Sequence, residues 1–186
     1  MLLESLGAAA LTEGISFLYA QAGELLARWR ERRDESPEPI RVELPQALGG
    51  VTLDASADLD VVARLSDRIV ELCGQLGNYA NGIALPSADD EDLRRRTGEL
   101  RDALEQVLGQ RLTFVGETRE PSGTPIVSGR VDAGVVRGAA AGVEADEIEG
   151  GAHVSGDAVA DVVEPGGSIA GVRARRISGS GGGAAA

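Results

Sequence analysis

The 186-residue chain contains no lysine, one cysteine, one histidine and only five aromatic residues. Each scarcity removes a class of chemistry. Without lysine there is no Schiff base, no pyridoxal phosphate attachment and no P-loop cation. A single histidine excludes paired-imidazole metal sites, and a single cysteine excludes zinc ribbons, internal disulfides and two-thiol redox motifs. Aromatic content of 3% is thin for a small-molecule pocket. No run approaches the roughly 18 apolar residues of a membrane span. Basic charge is also short. Eighteen arginines face 30 acidic residues, and a net charge of −12 argues against nucleic acid and anionic membrane surfaces as partners.

What the chain does contain is unevenly distributed. All 20 leucines lie at or before Leu112, and every aromatic residue at or before Phe114. Afterwards the apolar load passes to 11 valines and 4 isoleucines, and 15 of the 26 glycines fall in residues 117–186. Leucine favours helix and β-branched residues favour a pleated surface, so the structural character changes near residue 116. The expected organisation is α+β. A helical module over 1–116 is followed by a linker over 117–125, a Gly/Val-rich β module over 126–178 and a disordered tail over 179–186.

In the first part, Leu11, Ile15, Leu18, Ala22, Leu25 and Trp29 recur at helical steps and predict an amphipathic helix over about 5–33. The N-terminal stretch resembles a signal peptide but has no basic leader, and Glu4, Glu13 and Glu24 interrupt it. Pro37 and Pro39 stop the helix after the run Arg28, Arg30, Arg32 and Arg33. Val62, Leu65, Ile69, Leu72 and Leu76 predict a second helix over about 56–76. Leu93, Thr97, Leu100, Leu104 and Val107 predict a third over about 88–110. Ser87 with Asp90 reads as a capping box for it. A loop with Gly77, Asn78, Asn81, Gly82 and Pro86 would join the two as an antiparallel hairpin. Short runs at Ile40–Leu44, Val51–Leu53 and Leu112–Val115 are candidates for a small accessory sheet. Cys73, among apolar residues, reads as a reduced core thiol, consistent with a cytoplasmic location. Arginine in place of lysine, with heavy Ala, Gly, Val and Asp usage, matches GC-rich bacterial coding.

The second part repeats. Val143-Glu-Ala145-Asp-Glu-Ile148 aligns with Ala158-Val-Ala160-Asp-Val-Val163 and with Val172-Arg-Ala174-Arg-Arg-Ile177, at spacings of 15 and 14 residues. A shorter copy, Val131-Asp-Ala133-Gly-Val-Val136, precedes them. The connectors Gly150-Gly151 and Gly166-Gly167 also correspond. Short strands with inward Val, Ile and Ala and with glycine corners are how a β-solenoid is written, and each coil needs neighbours to bury its edge. The alternatives are a β-meander of hairpins turning at the same glycines and a largely disordered segment. Residues Val143 to Ile177 resemble the bactofilins, bacterial cytoskeletal proteins with a right-handed β-solenoid core that polymerises end to end without nucleotide. That resemblance implies edge-to-edge self-association, although a helical module of this size is foreign to the family pattern.

Reactive constellations are few. His153, Ser155 and Asp157 would share one strand face, but hydrolytic triads draw their members from separate segments. Asp89 to Asp92, and Asp54, Asp58 and Asp60, read as helix-start acids and lack a calcium-loop glycine. Arg94, Arg95 and Arg96 read as a solvated face pairing with neighbouring acids rather than a phosphate site. Gly179 to Gly183 lacks the strand–helix setting of a nucleotide loop. No catalytic, cofactor or metal residues are assigned. The charges are more telling. Seven acids and no arginine lie between Glu144 and Glu164, whereas Arg173, Arg175 and Arg176 follow together. The expected function is a non-enzymatic scaffold that self-associates or docks a protein partner, with contact residues Leu11, Ile15, Leu18 and Trp29 on the first helix and Arg173, Arg175 and Arg176 on the last repeat. The alternative is an adaptor in a multi-protein bacterial signalling or defence system, engaging its partner through the N-terminal helix.

Overall fold

A computed structural model describes residues 7–31, 39–87, 89–149 and 153–178. The chain divides into two compact units, Met1–Gly123 and Thr124–Ala186. The tail over 179–186, and with it the glycine run Gly179 to Gly183, lies outside the described residues, as do Arg32, Arg33 and Pro37.

Among the described residues, the first unit contains three α-helices, α1 (Ala8–Glu31), α2 (Leu59–Ala80) and α3 (Glu91–Leu108), and the strand pair β1 (Pro39–Glu43) and β2 (Thr52–Ser56). The leucine stripes meet in one core: Leu11, Ile15, Leu18, Ile69, Leu72, Leu76, Leu100 and Leu104 are all fully buried. At about 1.5–3 kcal/mol for each large aliphatic side chain, this burial is the main stabilising term of the unit. The amide of Asp58, which opens α2, donates to the carbonyl of Val107 near the end of α3, so the two helices run antiparallel. β1 and β2 pair antiparallel with Val42 opposite Leu53, and their alternating pattern turns Ile40, Val42, Leu53 and Ala55 inward.

Three local expectations change. α3 is capped by Asp90, whose carboxylate accepts from the amide of Leu93 at 2.9 Å, while the Ser87 hydroxyl accepts from the amide of Asp89. The cap is therefore a single aspartate one turn later than a Ser87 box. α2 runs on through Gly77 and Asn78, because the backbone amide and side chain of Asn81 both close on the Gly77 carbonyl. Leu112, Thr113 and Phe114 are buried and Val115 is exposed, and the run is not a strand. Its four amides go to Glu105 Oε1, Ser122 Oγ, Glu117 Oε2 and the Ala47 carbonyl instead of to a neighbouring ladder. The same contacts fold residues 117–123, expected as linker, onto the helical unit.

The second unit is built from four strands of 11 residues: β3 (Ile126–Val136), β4 (Ala139–Glu149), β5 (His153–Val163) and β6 (Ser168–Ser178). Each pairs with the next strand but one, and in parallel: β3 with β5 and β4 with β6. A hairpin meander is excluded by this pairing, since it requires antiparallel neighbours. The sequence spacing of 14–15 residues is thus half of the structural period. Ile126 sits beside His153 and Ala139 beside Ser168, offsets of 27 and 29 residues. The two sheets approach each other at glycine. A Cβ on Gly129 would overlap the backbone of Gly142, and one on Gly156 or Gly171 would overlap the backbone of the other. No helix among the described residues is long and apolar enough to cross a membrane.

Candidate functional site

The sequence-proposed contact residues part company in the structure. Leu11, Ile15 and Leu18 are fully buried and Trp29 is partly buried against the same core. The stripe that was to meet a partner is used up by α2 and α3, which corrects its assignment as a docking surface. Its periodicity was real, but periodicity identifies a buried face and not what buries it. Val70, Ile83 and Leu85 are the exposed apolar side chains of the α2–α3 hairpin, with Leu85 89% exposed. The amides of Ile83 and Ala84 both donate to the Asn78 carbonyl, holding that loop in place.

The densest polar constellation lies where α3 meets the segment over 111–122, and sequence reasoning did not single it out. Arg101 donates from Nη1 to both carboxylate oxygens of Glu117, at 2.7 and 2.9 Å, and its guanidinium lies 5.9 Å from the centre of the Phe114 ring. Glu105 accepts from Arg111 at 2.8 Å, from Arg119 at 2.9 and 3.0 Å, and from the amide of Leu112. Arg101, Glu105 and Glu117 are each at least nine-tenths buried at the side chain. Each carboxylate oxygen of Glu105 and Glu117 accepts from a guanidinium or a backbone amide. A neighbouring depression of about 320 Å³ is lined by Leu48, Thr113, Phe114, Val115, Arg119 and Ser122, among others. The hydroxyls of Thr113 and Ser122 are committed to the Glu120 and Leu48 carbonyls. The chemistry of this cluster is that of an anchor.

Several charges elsewhere on the helical unit pair at its surface. Arg95 bridges Asp92 and Glu99, and Arg68 bridges Glu71 and Glu99. Hydrogen bonding to Arg95 holds the Asp92 carboxyl below its ordinary range. Partial burial raises that of Glu99, but the hydrogen bonds from Arg95 and Arg68 outweigh it and the net shift is downward. Burial pushes the Cys73 thiol up, away from the thiolate that reactive cysteines need. Among the described residues no group of three or more His, Cys, Asp or Glu side chains is placed to hold a metal ion.

In the β unit, the register sets acid against base. Glu144 lies opposite Arg173, and Glu147 opposite Arg176. Asp146 and Arg175 approach to 3.5 Å, and both are almost fully exposed. Arg137 and Glu164, in the corners between strands, pair at 3.1 Å. Arg173 and Arg175 of the last strand are therefore set against Glu144 and Asp146 of β4. The backbone of His153, Ser155 and Asp157 is on β5, but their side chains and those of Arg130, Glu147, Glu149 and Arg176 lie outside what is described. No protein-family model, curated protein or solved structure matches the chain.

Proposed function

We propose that the protein is a non-enzymatic scaffold that self-associates through its β unit, which forms two coils of a short β-solenoid. The observation that carries this reading is the pairing pattern. Among the described residues, each of the four long strands has a sheet neighbour on one side only, so two coils present four open edges. Unpaired strand edges are templates for a further strand, and proteins that keep them soluble cover, shorten or interrupt them. These edges are 11 residues long. The valine ladders are open as well. Val136 and Val143 are buried at 5% and 8% exposure, whereas their partners Val163 and Val172 are 44% and 37% exposed. A third coil would cover them.

The helical unit, with its own closed core, would be the cargo or spacer that such an assembly displays. An adaptor acting through the apolar stripe of α1 would need that stripe uncovered, and its burial weighs against that alternative. Light scattering coupled to negative-stain microscopy tests the proposal. The full chain is expected as discrete oligomers or filaments, and Val163→Lys with Val172→Lys is expected to shift it to monomer. A wild-type chain that stays monomeric at all concentrations rejects the reading.

A further inference from the structure

The open edges of the β unit carry opposite charge, and their order fixes a polarity. β4 has Glu144, Asp146, Glu147 and Glu149 and no arginine, while β6 has Arg173, Arg175 and Arg176 and no acid. Inside one molecule these strands are neighbours, acid facing base along the register. The outer edge of β6 is then basic and the outer edge of β4 acidic. In the other sheet Arg130 on β3 is in register with Asp157 on β5, but β3 also carries Asp132, so charge there is not divided strand by strand.

From this arrangement we propose that the occupant of the open edges is a second copy of the chain, stacked head to tail. β5 and β6 of one molecule continue in parallel onto β3 and β4 of the next. The inference rests on the self-association reading and adds its direction and register. Three features of the internal interface recur at the external one only in this stacking. The ladder remains parallel with period 27 on one sheet and 29 on the other. Acid alternates with base along the β4–β6 sheet. Gly129 and Gly156, aligned in register, continue as a column, which keeps the sheets close enough that no Cβ fits between them. Stacking end on like end, with β6 on β6 or β4 on β4, sets arginine on arginine or acid on acid. Crossed stacking of β5 on β6 balances charge but turns the ladder antiparallel.

A charge-swap chain separates these arrangements. Glu144→Arg, Asp146→Arg, Arg173→Glu and Arg175→Glu in one molecule preserve the internal acid–base pairing. Head-to-tail stacking predicts that the swapped chain associates with itself like wild type but excludes wild-type chains. Measured by energy transfer between differently labelled pools, co-assembly should fall about tenfold or more, from several like-charge pairs at a few tenths of a kcal/mol each. Loss of self-association by a swapped chain that retains its circular dichroism spectrum indicates crossed stacking. Preferential mixing with wild type indicates like-end stacking. Unaltered mixing indicates that charge does not choose the partner. Each of these three overturns the polarity while leaving self-association intact, whereas a monomeric wild type overturns both. Should the swapped chain fail to fold, oxidative cross-linking decides. A mixture of Ala145→Cys chains and Ala174→Cys chains, both also Cys73→Ala, is expected to give a disulfide dimer that neither variant gives alone. A mixture that cross-links no better than either variant alone contradicts the stacking.

Discussion

Arg101 and Glu117 stand 16 residues apart and close on each other with one guanidinium nitrogen 2.7 and 2.9 Å from the two carboxylate oxygens, in a site almost without solvent. This pair anchors the end of the helical unit. Breaking one side of a buried pair costs about 3–5 kcal/mol, and the lower end applies here because Arg101 Nε also lies 3.5 Å from Asp102 and 4.0 Å from Glu105. Glu117→Ala, which also strips the Phe114 amide of its acceptor, should therefore destabilise by that order in urea. Arg101→Met with Glu117→Gln should cost clearly less than the two single changes added together. Additive values would mean that the two side chains are not coupled.

Gly14 on α1 predicts a second coupling. A Cβ there would run into the Phe114 ring, which is itself fully buried. Gly14→Ala should therefore destabilise although alanine is the better helix former, by about 1–3 kcal/mol from overpacking. Phe114→Leu should relieve part of that loss in the double variant, and thermal unfolding reads both.

The surface lock between α2 and α3 should respond to acid. The carboxyl of Glu99 is depressed below its ordinary 4.5 in the folded chain, the arginine hydrogen bonds outweighing its partial burial. A depressed acid contributes stability above its unfolded value and loses it as pH falls through the folded one. Glu99→Gln should therefore flatten the decline in stability below about pH 4.5 and lower stability slightly near neutrality, Glu99 being only a partly shielded surface pair. An unchanged acid limb would remove Glu99 from the account.

The glycine seam of the β unit makes a fourth prediction. Gly129→Ala and Gly156→Ala each insert a Cβ into opposing backbone, which cannot rotate away. Either should cost roughly 3 kcal/mol, the upper end for overpacking, and should remove strand signal from the circular dichroism spectrum while helical signal persists. Gly138→Ala meets nothing within 4 Å and serves as the neutral control.

The helices were readable in the leucine spacing because a 3.6-residue period survives in any sequence that buries one face. Their ends were less so. Asp90 caps α3 where Ser87 was expected, since both carry the same local signal and only the backbone chooses between them. The ion cluster left no trace of that kind. Arg101 and Glu105, four apart on a helix, look like an ordinary surface pair, and their partners Glu117, Arg111 and Arg119 come from a loop with no period. The repeats of the β unit were visible as residues, but their pairing was not. A spacing of 14–15 suits antiparallel hairpins as well as parallel pairing of alternate strands, and the parallel register of Val143 with Val172 shows the latter. The contact residues expected from the sequence fared unequally. The arginines of β6 stood out as charge, whereas the α1 stripe proved to be core.

Sedimentation velocity of the full chain across a wide range of concentration tests the central claim most directly. An assembly built on open coil edges predicts a weight-average mass that rises from the 19.2 kDa monomer towards multiples of it. A single monomer boundary at every concentration would contradict it.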